Sequence, residues 1–272
     1  MQDVLGIVLK ERDYSESSKI LDVYTKEYGL IGIISKGSKK IKSGLNAVST
    51  RLTYGIFHIY YKEDKLSTLT SVDVINPFFN IKNNIINISY ATYLSELVFQ
   101  VIKQSYKYEE IFDLFINSLL KINENYDPLV ITNILELKLL SYLGVEPILN
   151  RCSVCGNPNV VTLSKDRNGL ICNKCRTYEH IVDKRTIKFI RMYYYLDISK
   201  ITKVEMDPKV KNEIDDFLTN YYEAHTGIYL NSKKFIDDLK KVNIYTWYWL
   251  FSLKGIYLLH KCDDEGWKLL AI

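Results

Sequence analysis

Cys152-Ser153-Val154-Cys155 and Cys172-Asn173-Lys174-Cys175, sixteen residues apart, present four thiols as two pairs, each spaced to grip a cation from a tight turn. Four thiolates form a closed tetrahedral shell that suits zinc and leaves no position open for a substrate, so one structural zinc is expected. Gly156 and the Asn168-Gly169 pair supply the tight backbone that such knuckles need. Two disulfides, a mononuclear iron site and a metal-free module compete with that reading. His180 lies near enough in sequence to replace a cysteine but is not required, and Cys262 reads as a plain thiol.

The second chemistry-bearing set is cationic. No acidic residue falls between Glu27 and Glu63, while Lys36, Lys39, Lys40, Lys42, Arg51 and Lys62 sum to +6. The segment Ser35-Lys36-Gly37-Ser38-Lys39-Lys40-Ile41-Lys42-Ser43-Gly44 reads as a flexible loop whose ammonium and N–H groups approach phosphates. Tyr54, Tyr60 and Tyr61 follow closely and offer stacking surfaces for unpaired bases. The plainer reading is a solvated lysine-rich loop beside core tyrosines, with His58 a structural strand residue. Lys184, Arg185, Lys188 and Arg191 form a second basic group, read either as an extension of a nucleic-acid path or as a solvated helix face.

No catalytic constellation accompanies these sets. There is no phosphate-binding glycine loop, no nucleophile elbow and no histidine pair at helical spacing, and the chain has four histidines in all. Asp215-Asp216 and Asp237-Asp238 lack partners that would mark a metal or glycosidase site. An enzyme is therefore disfavoured. With 47% hydrophobic and 25% charged residues, 12 Gly and 5 Pro, the 272-residue chain is no disordered or collagen-like protein. Its net +4 is too small to imply a polyanion partner unless the charges are concentrated, as they are here. Five cysteines and a start, MQDVLGIVLKERDYSE, without the order of a secretory signal suggest a reducing cytoplasm. The nearest approach to a membrane span, Val242 to Leu259, is broken by Asn243, Thr246, Ser252, Lys254 and Gly255.

These residues need elements to hold them. The runs VLGIVLK, KILDVYT, LIGIISK, LTYGIFHIYY and STLTSVDVI predict five short strands, with Gly29 in one hairpin and Glu63-Asp64 at the tip of another. Five strands with one long connection suit an OB-type barrel, an SH3-like barrel being the alternative. In the fourth strand Gly55, Phe57, Ile59 and Tyr61 are expected to face inward. After Asn76-Pro77 the period changes to that of helices. One is lined by Ile85, Ile88, Leu94, Leu97, Val98 and Val101, and a second runs from Glu109 to Ile122. A third, densely apolar, starts at Asp127-Pro128 and ends at Gly144, and two more follow the cysteines. The expected class is α+β: an OB-fold at 1–80, a helical domain at 81–241 with the cysteine module at 150–178 inserted, and an extension at 242–272.

Several separated motifs together resemble the RecO family of bacterial recombination mediators. They are Gly6-Ile7-Val8-Leu9, Arg12-Asp13-Tyr14-Ser15-Glu16-Ser17, Thr25-Lys26-Glu27-Tyr28-Gly29, Ser35-Lys36-Gly37 with Lys39-Lys40, and Tyr90-Ala91-Thr92-Tyr93-Leu94-Ser95-Glu96-Leu97. Glu136-Leu137-Lys138-Leu139-Leu140, Leu143-Gly144-Val145-Glu146-Pro147 and Arg151-Cys152-Ser153-Val154-Cys155-Gly156 follow in the family's order. The resemblance implies a cytoplasmic, nucleoid-associated protein of the RecFOR pathway that binds single- and double-stranded DNA and anneals complementary strands. With RecR it would help load RecA on gaps covered by single-strand-binding protein, whose acidic, phenylalanine-ended tail the helical domain receives. Carried onto this chain, Lys36, Lys39, Lys40, Lys42 and Arg51 would hold phosphates, and Tyr54 or Tyr60 would stack bases. The rival class is a protein–protein adaptor whose barrel and zinc module meet no DNA. Family chains usually finish soon after the segment resembling Phe235-Ile236-Asp237-Asp238-Leu239-Lys240, whereas this chain continues into a tail holding all three Trp. That tail reads as an added helix, a peripheral contact surface or a non-native extension.

Overall fold

The computed structural model describes residues 1–104, 108–203, 205–241, 257–262 and 266–271. The chain divides into two compact units, Met1–Leu230 and Asn231–Ile272.

The first unit opens with β1 (Gln2–Asp13), β2 (Lys19–Thr25), β3 (Gly29–Ser35), β4 (Tyr54–Tyr60) and β5 (Ser67–Asn76), closed into a barrel in the order β1-β2-β3-β5-β4. Every pairing is antiparallel except β3 with β5. The long β3–β4 connection explains that exception: it carries the chain across the barrel, so that β4 returns to β1 and β5 fills the gap beside β3. This closure is the OB-type arrangement. Val4, Val8, Leu21, Val23, Ile33, Phe57, Ile59 and Leu69 form the interior. In β4 the alternation falls as expected, with Gly55, Phe57 and Ile59 buried and Ile56 and Tyr60 exposed. Gly55 is required by contact, since a Cβ there would meet the Asp73 carbonyl oxygen at 2.2 Å. His58 sits outside the barrel between Asp3 (2.7 Å) and Asp73 (3.0 Å), hydrogen bonds that raise its proton affinity above that of an ordinary histidine.

Helices follow directly: α1 (Phe79–Lys82), α2 (Ile85–Ile102), α3 (Tyr108–Asn123) and α4 (Pro128–Tyr142). Local chemistry sets their starts. Asn84 accepts from the N–H groups of Ile86 and Asn87, and Asp127, before Pro128, accepts from those of Leu129 and Val130. Gly144, at φ 71°, takes the chain out of α4 in the left-handed conformation. By length and composition α2 is apolar enough to cross a membrane, but 67% of it is buried inside the molecule, as befits a core helix. After the hairpin β6 (Thr162–Ser164) and β7 (Gly169–Ile171) come α5 (Lys184–Tyr195), a single 3-10 turn and α6 (Pro208–His225).

Helix α4 is apolar on nearly every side because it is the centre of the bundle, with Ile131, Ile134, Leu135, Leu137, Leu139 and Leu140 fully buried. Glu136 is buried among them; its carboxylate accepts from the Tyr93 hydroxyl, and its carbonyl oxygen accepts from the Tyr222 hydroxyl at 2.8 Å. Burial first, and then the Glu136 charge, push both tyrosines well above their ordinary pKa. In the unfolded chain they ionise near pH ~10, so stability is complete below that pH and is lost as pH climbs towards the raised native values. The denaturant midpoint is expected to fall above about pH 10, and to fall less steeply in Tyr93→Phe. A midpoint flat to about pH 12 would contradict the buried, protonated pair.

The second unit holds α7 (Asn231–Lys241) and a hairpin of β8 (Tyr257–Cys262) and β9 (Gly266–Ala271), registered Leu258 to Leu270 and His260 to Lys268. The described part of the tail is therefore strand, whereas an added helix was among the sequence expectations. Residues 242–256, including Trp247 and Trp249, lie outside the described residues.

Candidate nucleic-acid interface and metal centre

The basic loop between β3 and β4 is tethered, which corrects the expectation that it is flexible. The Ser35 and Ser49 hydroxyls meet at 2.7 Å, Ser38 Oγ donates to the Ser35 carbonyl, and the Lys39 N–H donates to the Ser17 carbonyl. At its far end the Leu52 N–H donates to the Val8 carbonyl, and the Val8 N–H donates to the Thr53 carbonyl. Successive turns from Gly37 to Asn46 fix the segment between these anchors. Small hydroxyl residues thus hold the loop by its base, and Leu45 packs on the barrel core.

Lys36, Lys40 and Lys42 are exposed, and none has an ion-pair partner among the described residues. Lys39 differs: it pairs with Asp13 at 2.6 Å, a hydrogen bond that holds the Asp13 carboxyl below its usual range. Arg51 is half-exposed at the return of the loop. Ile41, 98% exposed between two lysines, offers an apolar side chain that charge counting alone does not single out.

The tyrosines divide. Tyr60 ends β4 at 55% exposure, with its ring open to solvent. Tyr54 packs instead against Phe78 (ring centroids 6.1 Å) and Phe112 (6.5 Å), between the barrel and the helices, and burial raises its pKa. The ring of Tyr54, from which base stacking is expected, thus lies partly buried at the seam between barrel and helices. Tyr24 against Phe112, and Lys26 on Asp113 at 2.9 Å, complete that seam. Tyr61 stacks on Tyr28 at 4.6 Å.

The four Sγ atoms of Cys152, Cys155, Cys172 and Cys175 lie within 4.8 Å of one another, with Cys155 and Cys172 at 3.6 Å. Tetrahedral zinc with bonds of about 2.3 Å sets its sulfurs roughly 3.8 Å apart, so this donor set fits such a cation. The two turns are alike: the Gly156 N–H donates to the Cys152 carbonyl, and the Arg176 N–H to the Cys172 carbonyl. Burial opposes ionisation of Cys152, yet N–H groups of Cys155, Cys172 and Val154 hold its pKa down at about 6. Hydrogen bonding to Cys155 and Cys172 pushes Cys175 up to about 12. Donors aimed at sulfur favour thiolates, and the crowding that keeps a proton on Cys175 is what a divalent cation relieves. His180 is exposed and outside the cluster, and the side chain of Cys262 lies outside the described residues.

The module is docked onto the helices. The Tyr221 hydroxyl donates to Asn168 at 2.8 Å, His225 Nε2 meets the Lys165 carbonyl at 2.8 Å, and Arg191 Nε donates to the Leu149 carbonyl at 2.7 Å. Gly169 is needed where the hairpin crosses Ile148, since a Cβ would fall 2.2 Å from the Ile148 carbonyl oxygen. The second basic group is divided: Arg191 is committed to the module, Arg185 bridges Asp183 and Asp207, and Lys184 and Lys188 are exposed with no ion-pair partner among the described residues.

Comparison with known proteins agrees along the chain. The family described as Recombination protein O N terminal matches residues 1–78, and that described as Recombination protein O C terminal matches residues 82–234. The chain is 32% identical over 245 residues to the DNA repair protein RecO of Listeria monocytogenes serotype 4b (strain F2365), covering 89% of this chain and 96% of the relative. It is 34% identical over 241 residues to the DNA repair protein RecO of Bacillus subtilis (strain 168), covering 87% and 94%. Barrel, helical body and cysteine cluster thus coincide with matches that span most of both chains, and the chain belongs to the RecO family of DNA repair proteins.

Proposed function

We propose that this RecO-family protein binds single- and double-stranded DNA through the barrel loop and anneals complementary strands. With RecR it helps RecA replace single-strand-binding protein on gaps, and the acidic tail of that protein docks on the helical body. The observation that carries the DNA reading is the loop itself: Lys36, Lys40 and Lys42 are exposed, without an ion-pair partner among the described residues, on a backbone tied at both ends. A fixed base with free cations neutralises phosphates at little ordering cost and reads no sequence. Lys39 and Arg51 flank that contact, Tyr60 offers a face to an unpaired base, and Ile41 offers an apolar one. Annealing then needs no covalent chemistry, because screening two polyanions on one surface lets base pairing drive the product. The four cysteines hold one structural zinc, which organises the module and carries no reaction step.

A fluorescent single-stranded oligonucleotide titrated at several salt concentrations tests this reading. Affinity is expected to fall as salt rises, and Tyr60→Ala is expected to weaken single-strand binding by about 1–3 kcal/mol with little effect on duplex. A folded protein that binds no DNA at any salt supports the adaptor reading instead.

A further inference from the structure

A second pair of cations lies where the barrel meets the helices. Lys10, on β1, places its ammonium 3.9 Å from the centre of the Phe99 ring on α2, and Lys103, at the end of α2, places its own at 4.2 Å. Phe99 is 8% exposed, so its ring is a buried platform, whereas Lys103 is exposed and Lys10 partly so. Neither lysine has an ion-pair partner among the described residues. The carboxylates nearest along the barrel are taken: Asp22, opposite Lys10 in the β1–β2 register, bridges Arg12 at 3.4 Å, and Glu11 bridges Lys19 at 3.5 Å.

A ring face attracts one cation, but two ammonium groups drawn to the same ring repel each other. The negative end of α2 favours Lys103, its C-cap residue. An anion brought up to the pair offsets that repulsion. The site also continues from the basic loop, because Leu52 and Thr53, just after Arg51, exchange backbone hydrogen bonds with Val8, two residues before Lys10.

We propose that Lys10 and Lys103 form a second phosphate-binding site, with Phe99 as its platform. A nucleic-acid strand leaving the loop at Arg51 crosses the seam here and passes onto the helical body. The proposal rests on the DNA-binding reading above and adds a path to it. A strand is favoured over a lone anion because the site is open and continuous with the loop.

The test uses the intact protein, a short oligonucleotide of about four nucleotides and a longer one of about sixteen, the span over which single barrels of this kind bind. Lys10→Gln with Lys103→Gln is expected to weaken the longer strand roughly 25-fold near 0.1 M salt and lower its log–log salt slope by about 1.4, while the short strand binds as before. Lys10→Arg with Lys103→Arg is expected to bind both like wild type, which separates charge from folding. If the glutamine pair misfolds, the single substitutions are each expected to give about half that slope change. Unchanged long-strand affinity and slope, in a background where the loop lysines do matter, overturns the seam site and leaves the loop reading standing. Loss of the short strand as well, or no strand binding by wild type, also overturns it, the latter together with the DNA reading.

Discussion

Replacing Lys36, Lys40 and Lys42 together with glutamine is expected to weaken single-stranded DNA binding roughly 100-fold near 0.1 M salt and to reduce the log–log salt slope by about 2. The magnitude follows from counterion release, in which each phosphate neutralised on a single strand contributes about 0.7 to the slope. These three ammonium groups are exposed and carry no ion-pair partner among the described residues, so no described contact is lost within the protein when they go. The loop is held by Ser35, Ser38, Ser49, Leu52 and backbone bonds, none of which the substitutions touch, and the melting temperature is expected to stay put. Lys39→Gln alone should do less, because Lys39 already answers Asp13 and its net charge at the surface is partly cancelled. Equal losses from Lys39 and from the other three would show that the Asp13 pair does not persist in solution.

Loss of the metal should have the larger effect on stability. Cys152 and Cys172 are buried with Ile171 in a small cluster of their own, against which Val160 and Cys175 pack, so the module has little apolar interior to fall back on. Structural zinc supplies folding free energy directly, and removing one ligand leaves thiols crowded where a cation was needed. Cys152→Ser or Cys172→Ser is expected to cost more than about 4 kcal/mol, an exceptional range for a single substitution in which loss of a metal is one of the few recognised causes. Elemental analysis should find one zinc per chain in wild type and none in either variant. Thiol titration should find one reactive thiol, Cys262, and the four clustered sulfurs protected until a chelator is added. A stable wild-type preparation with no metal and all five thiols reactive contradicts the zinc site. Because the barrel has its own core, the loop should still bind the short strand after the module is lost.

The parts of this structure written in local sequence were legible before the fold was known. Alternation in β4 separates Phe57 and Ile59 from Ile56 and Tyr60 because one face fills the barrel, and Asp127-Pro128 starts a helix by capping chemistry alone. The cysteine pairs are legible for the same reason, each pair being a closed local turn. What was hidden depends on distant residues meeting. Tyr54 looks as available as Tyr60 until Phe78 and Phe112 cover it, and Lys39 looks as free as Lys40 until Asp13 reaches it. Arg191 joined a basic run on paper and proves to be a strut for the module. Serines that suggested a flexible loop tie it down by bonding to one another. Lys10, Phe99 and Lys103 carry no sequence signal, since only the docking of α2 on β1 brings them together.

Strand annealing tests the central claim most directly. Two complementary oligonucleotides, one carrying a fluorophore and the other a quencher, are mixed with wild-type protein and with the Lys36, Lys40, Lys42 glutamine variant. Wild type is expected to accelerate pairing well above the spontaneous rate, with the acceleration fading as salt rises, and the variant is expected to lose most of it. Pairing at the spontaneous rate in the presence of folded, metal-loaded wild type would contradict a DNA-annealing role and leave the barrel as a platform for protein partners.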